Sequence, residues 1–162
     1  YDIIQVTLFP MGTDVNVRFV TQGDPMFITQ LILAISTEKL IDMNILSFFE
    51  HLSVLIITGT SLSTFDSGTA NYTNLMFLQF ESNYEMTELN RIFLLSESEN
   101  LVDITLSDTP ITSASLNEFL DDHIANSVTT GRNYSFFGMS LSSEHLTKTA
   151  TLTSMGQNVT IS

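Results

Sequence analysis

The chain has no cysteine, no tryptophan and only five basic residues in 162. Without cysteine there is no disulfide framework, thiolate nucleophile or cysteine zinc site. The five cations, Arg18, Lys39, Arg91, Arg132 and Lys148, are scattered. They cannot build a track that neutralises phosphates, so nucleic acid is not expected as a partner. No run of about 20 apolar residues occurs. The nearest stretch, 26–35, is short and carries Thr29 and Gln30, so no membrane insertion is expected.

Catalytic signatures are also missing. There is no HExxH, P-loop or GxGxxG, and Gly138-Met139-Ser140 lacks the second glycine of a nucleophile elbow. A glycosidase needs only two acids placed anywhere in the sequence. With no tryptophan and four tyrosines, however, sugar-stacking platforms are scarce. The expectation is a protein that is not an enzyme and has no cofactor.

What is present is acid, hydroxyl and apolar residue. Eighteen Asp and Glu give a net charge of −13, while charged residues make up only 14%. A usual share is about 25%. Ser and Thr supply 40 residues, so hydroxyls and amides must form much of the polar surface. That suits a secreted or surface-exposed protein, with a virion as the alternative location. Hydrophobic residues make up 43% and mean hydropathy is +0.22. Disorder is therefore not expected, and apolar surface left over would serve a partner. The chain opens on Tyr1, read as a processed or trimmed start, and its first stretch lacks the basic leader of a signal peptide.

Alternation of period two dominates. It predicts strands over 4–8, 15–19, 26–35, 54–57, 75–80, 92–95, 102–106, 134–141, 146–152 and 159–161, with 26–35 and 75–80 buried on both faces. Helices are predicted over 42–52, where Asp42 is a plausible N-cap, and from Ser115. There Ser115-Leu116-Asn117-Glu118 has the form of a capping box. No internal repeat or second domain is read. The expected fold is mainly β, an antiparallel sandwich or jelly-roll-like domain with two short helices, with α+β as the alternative. It forms a single domain over 1–162, with 1–10 able to act as a strand-exchanging arm.

Several residues are candidates for sites. Each histidine follows an acid: Glu50-His51, Asp122-His123 and Glu144-His145. Adjacent residues do not face each other on a helix or strand, so these read as solvated surface histidines and not as dyads. Asp121-Asp122 and the stretch from Glu97 to Asn100 carry enough carboxylate for weak Ca²⁺ binding, without the spacing of an EF-hand loop. Asn71, Asn133 and Asn158 begin glycosylation sequons. With 11 Asn, and hydroxyl residues at a quarter of positions, chance supplies about as many. Thr147, Thr149, Thr151 and Thr153 form a row if 146–152 is a strand. Ile4, Val6 and Leu8 share one face of the first strand, the expected strand-exchange interface.

The functional expectation is a structural subunit whose partners are copies of itself. It would assemble into a filament, layer or shell through strand pairing and apolar contacts. A viral or phage structural protein and an adhesin-like or carbohydrate-binding module are the alternatives.

Overall fold

A computed structural model describes residues 2–8, 28–35, 51–60, 62–66, 73–90, 98–126 and 130–162. Seven strands form one sheet: β1 (Asp2–Leu8), β2 (Ile28–Ile35), β3 (Val54–Thr58), β5 (Phe77–Glu81), β7 (Asp103–Ser107), β8 (Asn133–Phe137) and β9 (Asn158–Ile161). Their order in the sheet is their order in the chain, and every neighbouring pair is parallel. A second layer holds β4 (Thr64–Asp66) paired in parallel with β6 (Glu88–Asn90), then helices α1 (Ser113–Asn126) and α2 (Ser143–Ser154).

This topology is a stack of coils, each contributing one strand to the main sheet. The register partners Gln30, Val54, Phe77, Asp103, Asn133 and Asn158 are 24, 23, 26, 30 and 25 residues apart. Parallel neighbours require long crossovers, and steps of this size supply them. The coils repeat in backbone detail. Ser53 C=O accepts from Met76 and Phe77, as Met76 C=O accepts from Val102 and Asp103 one coil later. After the strands, Gly59, Ser82, Asp108 and Gly138 occupy one register position, and all four have positive φ (59, 54, 47 and 61°). Each donates its N–H to the next coil: Gly59 to Glu81, Ser82 to Ser107, Asp108 to Phe137 and Gly138 to Ser162.

The antiparallel sandwich or jelly-roll is thus overturned, and so is the α+β alternative. The arrangement is α/β-like, with a parallel sheet. The alternation was real, but it records one buried face per strand and carries no information about strand direction. An internal repeat is present, with coils of unequal length. The inner face carries Leu55, Ile57, Leu78, Phe80, Ile104, Leu106, Tyr134 and Phe136, all buried. The second layer meets them with Phe65, Met86, Leu89, Leu116, Phe119, Leu120 and Leu152. Phe65 stands edge-on to Phe80 with centroids 4.9 Å apart, a favoured aromatic geometry.

Two local predictions are also corrected. Residues 146–152 lie in α2, not in a strand. Ser142 caps that helix, its Oγ accepting from His145 N–H while His145 Nδ1 accepts from Ser142 N–H. The buried residues His145, Thr149 and Leu152 keep helical spacing. The threonine row therefore does not exist as a strand face: Thr147, Thr151 and Thr153 turn their hydroxyls back to carbonyls four residues earlier. The predicted capping box at Ser115 is also misplaced, because α1 starts at Ser113. There Thr112 Oγ1 accepts from Ser115 N–H, while the buried Ser115 Oγ accepts from Leu89 N–H at 2.8 Å. The predicted strands over 15–19 and 92–95 lie outside the described residues, as does nearly all of the helix over 42–52.

Candidate functional site: the outer face of the sheet

Because side chains alternate, the register that buries one face turns the other outward. It carries three rows across the strands. One runs Val54, Phe77, Asp103, Asn133, Asn158; the next Ile56, Gln79, Thr105, Ser135, Thr160; the third Thr58, Glu81, Ser107, Phe137. None of these residues is fully buried, and Phe77 is 43% exposed. Parallel sheets ordinarily bury both faces. Strands 75–80 and 26–35 were expected to do so. Instead β5 buries only Leu78 and Phe80, and on β2 Gln30 and Ile32 flank the buried Leu31 half-buried.

The face is chemically divided. Ile32, Val54, Ile56 and Phe77 make an apolar end. Thr105, Asn133, Ser135, Asn158 and Thr160 make an amide and hydroxyl end. Between them stand the carboxylates of Glu81 and Asp103. Gln79 Nε2 donates to Glu81 at 2.8 Å, and Thr105 Oγ1 and Asn133 Nδ2 each reach Asp103 at 3.4 Å. Asn158 Nδ2 donates to Asn133 Oδ1 at 3.0 Å. Among the described residues no cation lies on this face. Arg132 is buried, and Lys148 on α2 is held by Asp121 at 2.7 Å and Glu144 at 3.4 Å. The hydrogen bond that Lys148 donates to Asp121 is the main reason that it holds its proton more tightly than usual.

The candidates fall in separate places. Ile4, Val6 and Leu8 lie in β1, which pairs in parallel with Leu31, Leu33 and Ile35 of the same chain. Asn133 and Asn158 are neighbours on the outer face, whereas Asn71 lies outside the described residues. Among the described residues no three His, Asp or Glu are grouped as a metal site. His51 is exposed, but the reading of the other two as surface histidines is overturned.

His145 is buried at the cap of α2. His123 is fully buried, and its Nδ1 meets Tyr134 Oη at 3.0 Å and Arg132 Nη1 at 3.4 Å. A guanidinium only donates, so Nδ1 is the acceptor and the proton sits on Nε2, which has no hydrogen-bond partner. Burial, with Arg132 beside it, lowers the imidazole pKa to about 3. His123 is therefore neutral near pH 7. Arg132 itself donates to the carbonyls of Leu101 and Ser98, each at 2.8 Å. This cluster satisfies backbone groups inside the stack and offers no surface to a substrate. Next to it, Asp122 has a raised pKa, mainly through burial and then through Glu118 and Asp121.

The outer face went unrecognised in the sequence, although a signal was there. Leu52, Leu55 and Ile57 share a spacing with Leu75, Leu78 and Phe80, and with Leu101, Ile104 and Leu106. The residues between these anchors form the face.

The fold and site define a stack of parallel strand-bearing coils with one outward sheet face. The chain matches no family model, no curated protein and no solved structure.

Proposed function

We propose that the chain is a non-enzymatic binding module whose outer sheet face receives a partner protein. The observation that carries this reading is that face, with Phe77 and its aliphatic neighbours left in contact with water. Repeat stacks commonly use such extended surfaces for binding. The anchors Leu52-x-x-Leu55-x-Ile57-x-x-Thr60-x-Leu62 and Leu101-x-x-Ile104-x-Leu106-x-x-Thr109-x-Ile111 resemble the leucine-rich repeat pattern, with a strand and then a further segment per repeat. Glu81 and Asp103, with no described cation beside them, favour a partner that presents basic groups together with an apolar anchor. The low count of basic residues supports the expectation that this partner is not nucleic acid.

A photo-reactive benzophenone residue at Thr105, used in cells of the source organism, tests the reading. A discrete adduct is expected at Thr105, lost when Phe77→Lys is added, and absent when the group sits at Thr147 on α2. Equal labelling from both positions contradicts the proposal.

Assembly with copies of itself is the second reading. It is favoured by large apolar side chains left exposed on α2 and β9, Leu146 at 47% and Ile161 at 43%. A secreted or surface location belongs to both readings. A glycan on Asn133 or Asn158 would stand on the outer face and cover it, so a glycosylated chain would favour the second reading.

A further inference from the structure

A cavity of about 480 Å³ lies at the ends of β5, β7 and β8, lined by Tyr84, Asp108, Pro110, Ile111, Gly138 and Met139 among others. Its volume is within the range of ligand sites, about 300–1,000 Å³. It spans three successive coils, since Tyr84, Asp108 and Gly138 each follow a different strand.

The charge in this cavity is placed with care. Asp108 occupies the left-handed position that glycine holds in two of the other three coils, with φ 47°. A non-glycine residue there carries a conformational cost, least for Asn and Asp. Its carboxylate lies over Gly138, where any β-carbon would collide with it. The missing side chain of one coil thus makes room for the charged side chain of the coil before. Ser107 Oγ donates to Asp108 Oδ2 at 3.1 Å, and no described cation neutralises the group. Tyr84 is 72% exposed and contributes an aromatic ring to the wall. Met139 and Ile111 supply apolar surface.

We propose that this cavity seats an arginine side chain of the partner. A planar guanidinium pairs with a carboxylate through two parallel hydrogen bonds and stacks on an aromatic face, and it is more weakly hydrated than an ammonium. Met139 and Ile111 would cover the aliphatic stem. The net charge of −13 draws cations toward the whole molecule, and the cavity gives one of them a defined seat. This inference rests on the reading of the chain as a binding module and adds a second contact, beyond the sheet face.

The test is an amide NMR titration of the full chain with N-acetyl-arginine amide, N-acetyl-lysine amide and the neutral N-acetyl-citrulline amide. Arginine should shift Asp108, Thr109, Gly138 and Met139 to saturation, and bind about ten-fold more tightly than citrulline, which lacks the charge. Asp108→Asn should bring arginine down to the level of citrulline. Asn tolerates the same backbone conformation, so the fold should be kept, as the remaining amide spectrum would show. Tyr84→Leu should weaken arginine while leaving citrulline less affected. Equal binding of arginine and citrulline overturns the proposal. So does an arginine response unchanged in Asp108→Asn, which would be attraction to net charge alone, and so does lysine binding as tightly as arginine. Because the Thr105 adduct is read separately, its survival alongside a failed titration rejects the arginine seat and leaves the sheet face standing.

Discussion

Asn83 ties one coil to the next through Thr60. Its Oδ1 accepts both the Thr60 N–H at 3.1 Å and the Thr60 hydroxyl at 2.7 Å, while its Nδ2 donates to Ile57 C=O at 2.8 Å. Both residues are buried, so every one of these groups depends on the amide. Thr60, Asn83 and Thr109 stand at the equivalent place in three successive coils. Replacing Asn83 by Ala takes the partner from two buried donors and a buried acceptor, at a cost of about 2–3 kcal/mol. Urea denaturation of Asn83→Ala should show a lowered midpoint. An unchanged midpoint would mean that this bridge between coils is absent.

The two coil-end glycines should respond differently to alanine. Gly59 and Gly138 have nearly the same positive φ, but a β-carbon meets nothing at Gly59 and strikes the Asp108 carboxylate at Gly138. Gly59→Ala carries only the backbone penalty of about 1–2 kcal/mol. Gly138→Ala adds displacement of Asp108 and should be the more destabilising in thermal unfolding. It should also weaken arginine binding at the cavity, which Gly59→Ala should not do.

His123 makes stability depend on acid. Its pKa is about 3 when folded, against 6.5 for an unhindered imidazole. Between these values the unfolded chain binds the proton and the folded chain does not, so stability falls as pH is lowered through that window. The slope is about 1.4 kcal/mol per pH unit while the difference lasts. Carboxylates titrate in the same range, so the informative quantity is the difference from His123→Gln. That variant loses stability at pH 7 through its contacts with Tyr134 and Phe119. It should nonetheless show a flatter decline between pH 6.5 and pH 4.

If copies associate through Leu146 and Ile161, salt should control it. At −13 per chain, repulsion opposes contact at low ionic strength and is screened within about 10 Å at 0.1 M. Sedimentation velocity should then show association that grows with salt and disappears in Ile161→Lys. Association unaffected by Ile161→Lys would place the contact elsewhere.

Much of the strand content was legible, because β3, β5, β7 and β8 each bury alternate residues. Strand direction was not. Leu55, Leu78 and Ile104 stack as one row, but their spacings of 23 and 26 residues are unequal, and the 30-residue step to Tyr134 hides the repeat further. The error at α2 came from threonine, whose β-branched side chain favours strands. In this helix the hydroxyls bond to the backbone instead, and the cap made by Ser142 and His145 sets the start. The outer face was hidden for a related reason: Gln79, Thr105 and Ser135 look ordinary singly, and only the parallel register lines them up. The burial of His123 depends on Arg132 and Tyr134, which the fold brings from the start of β8 against α1.

The parallel stack is the claim on which the face, the cavity and the functional reading all depend. Amide and α-proton nuclear Overhauser contacts in the isotope-labelled chain test it directly. The account predicts cross-strand contacts whose offset stays fixed along each strand pair, Val54 with Phe77, Phe77 with Asp103 and Asp103 with Asn133, each continuing two residues forward on both strands. Contacts that run in opposite directions along paired strands, as in hairpins, would contradict it.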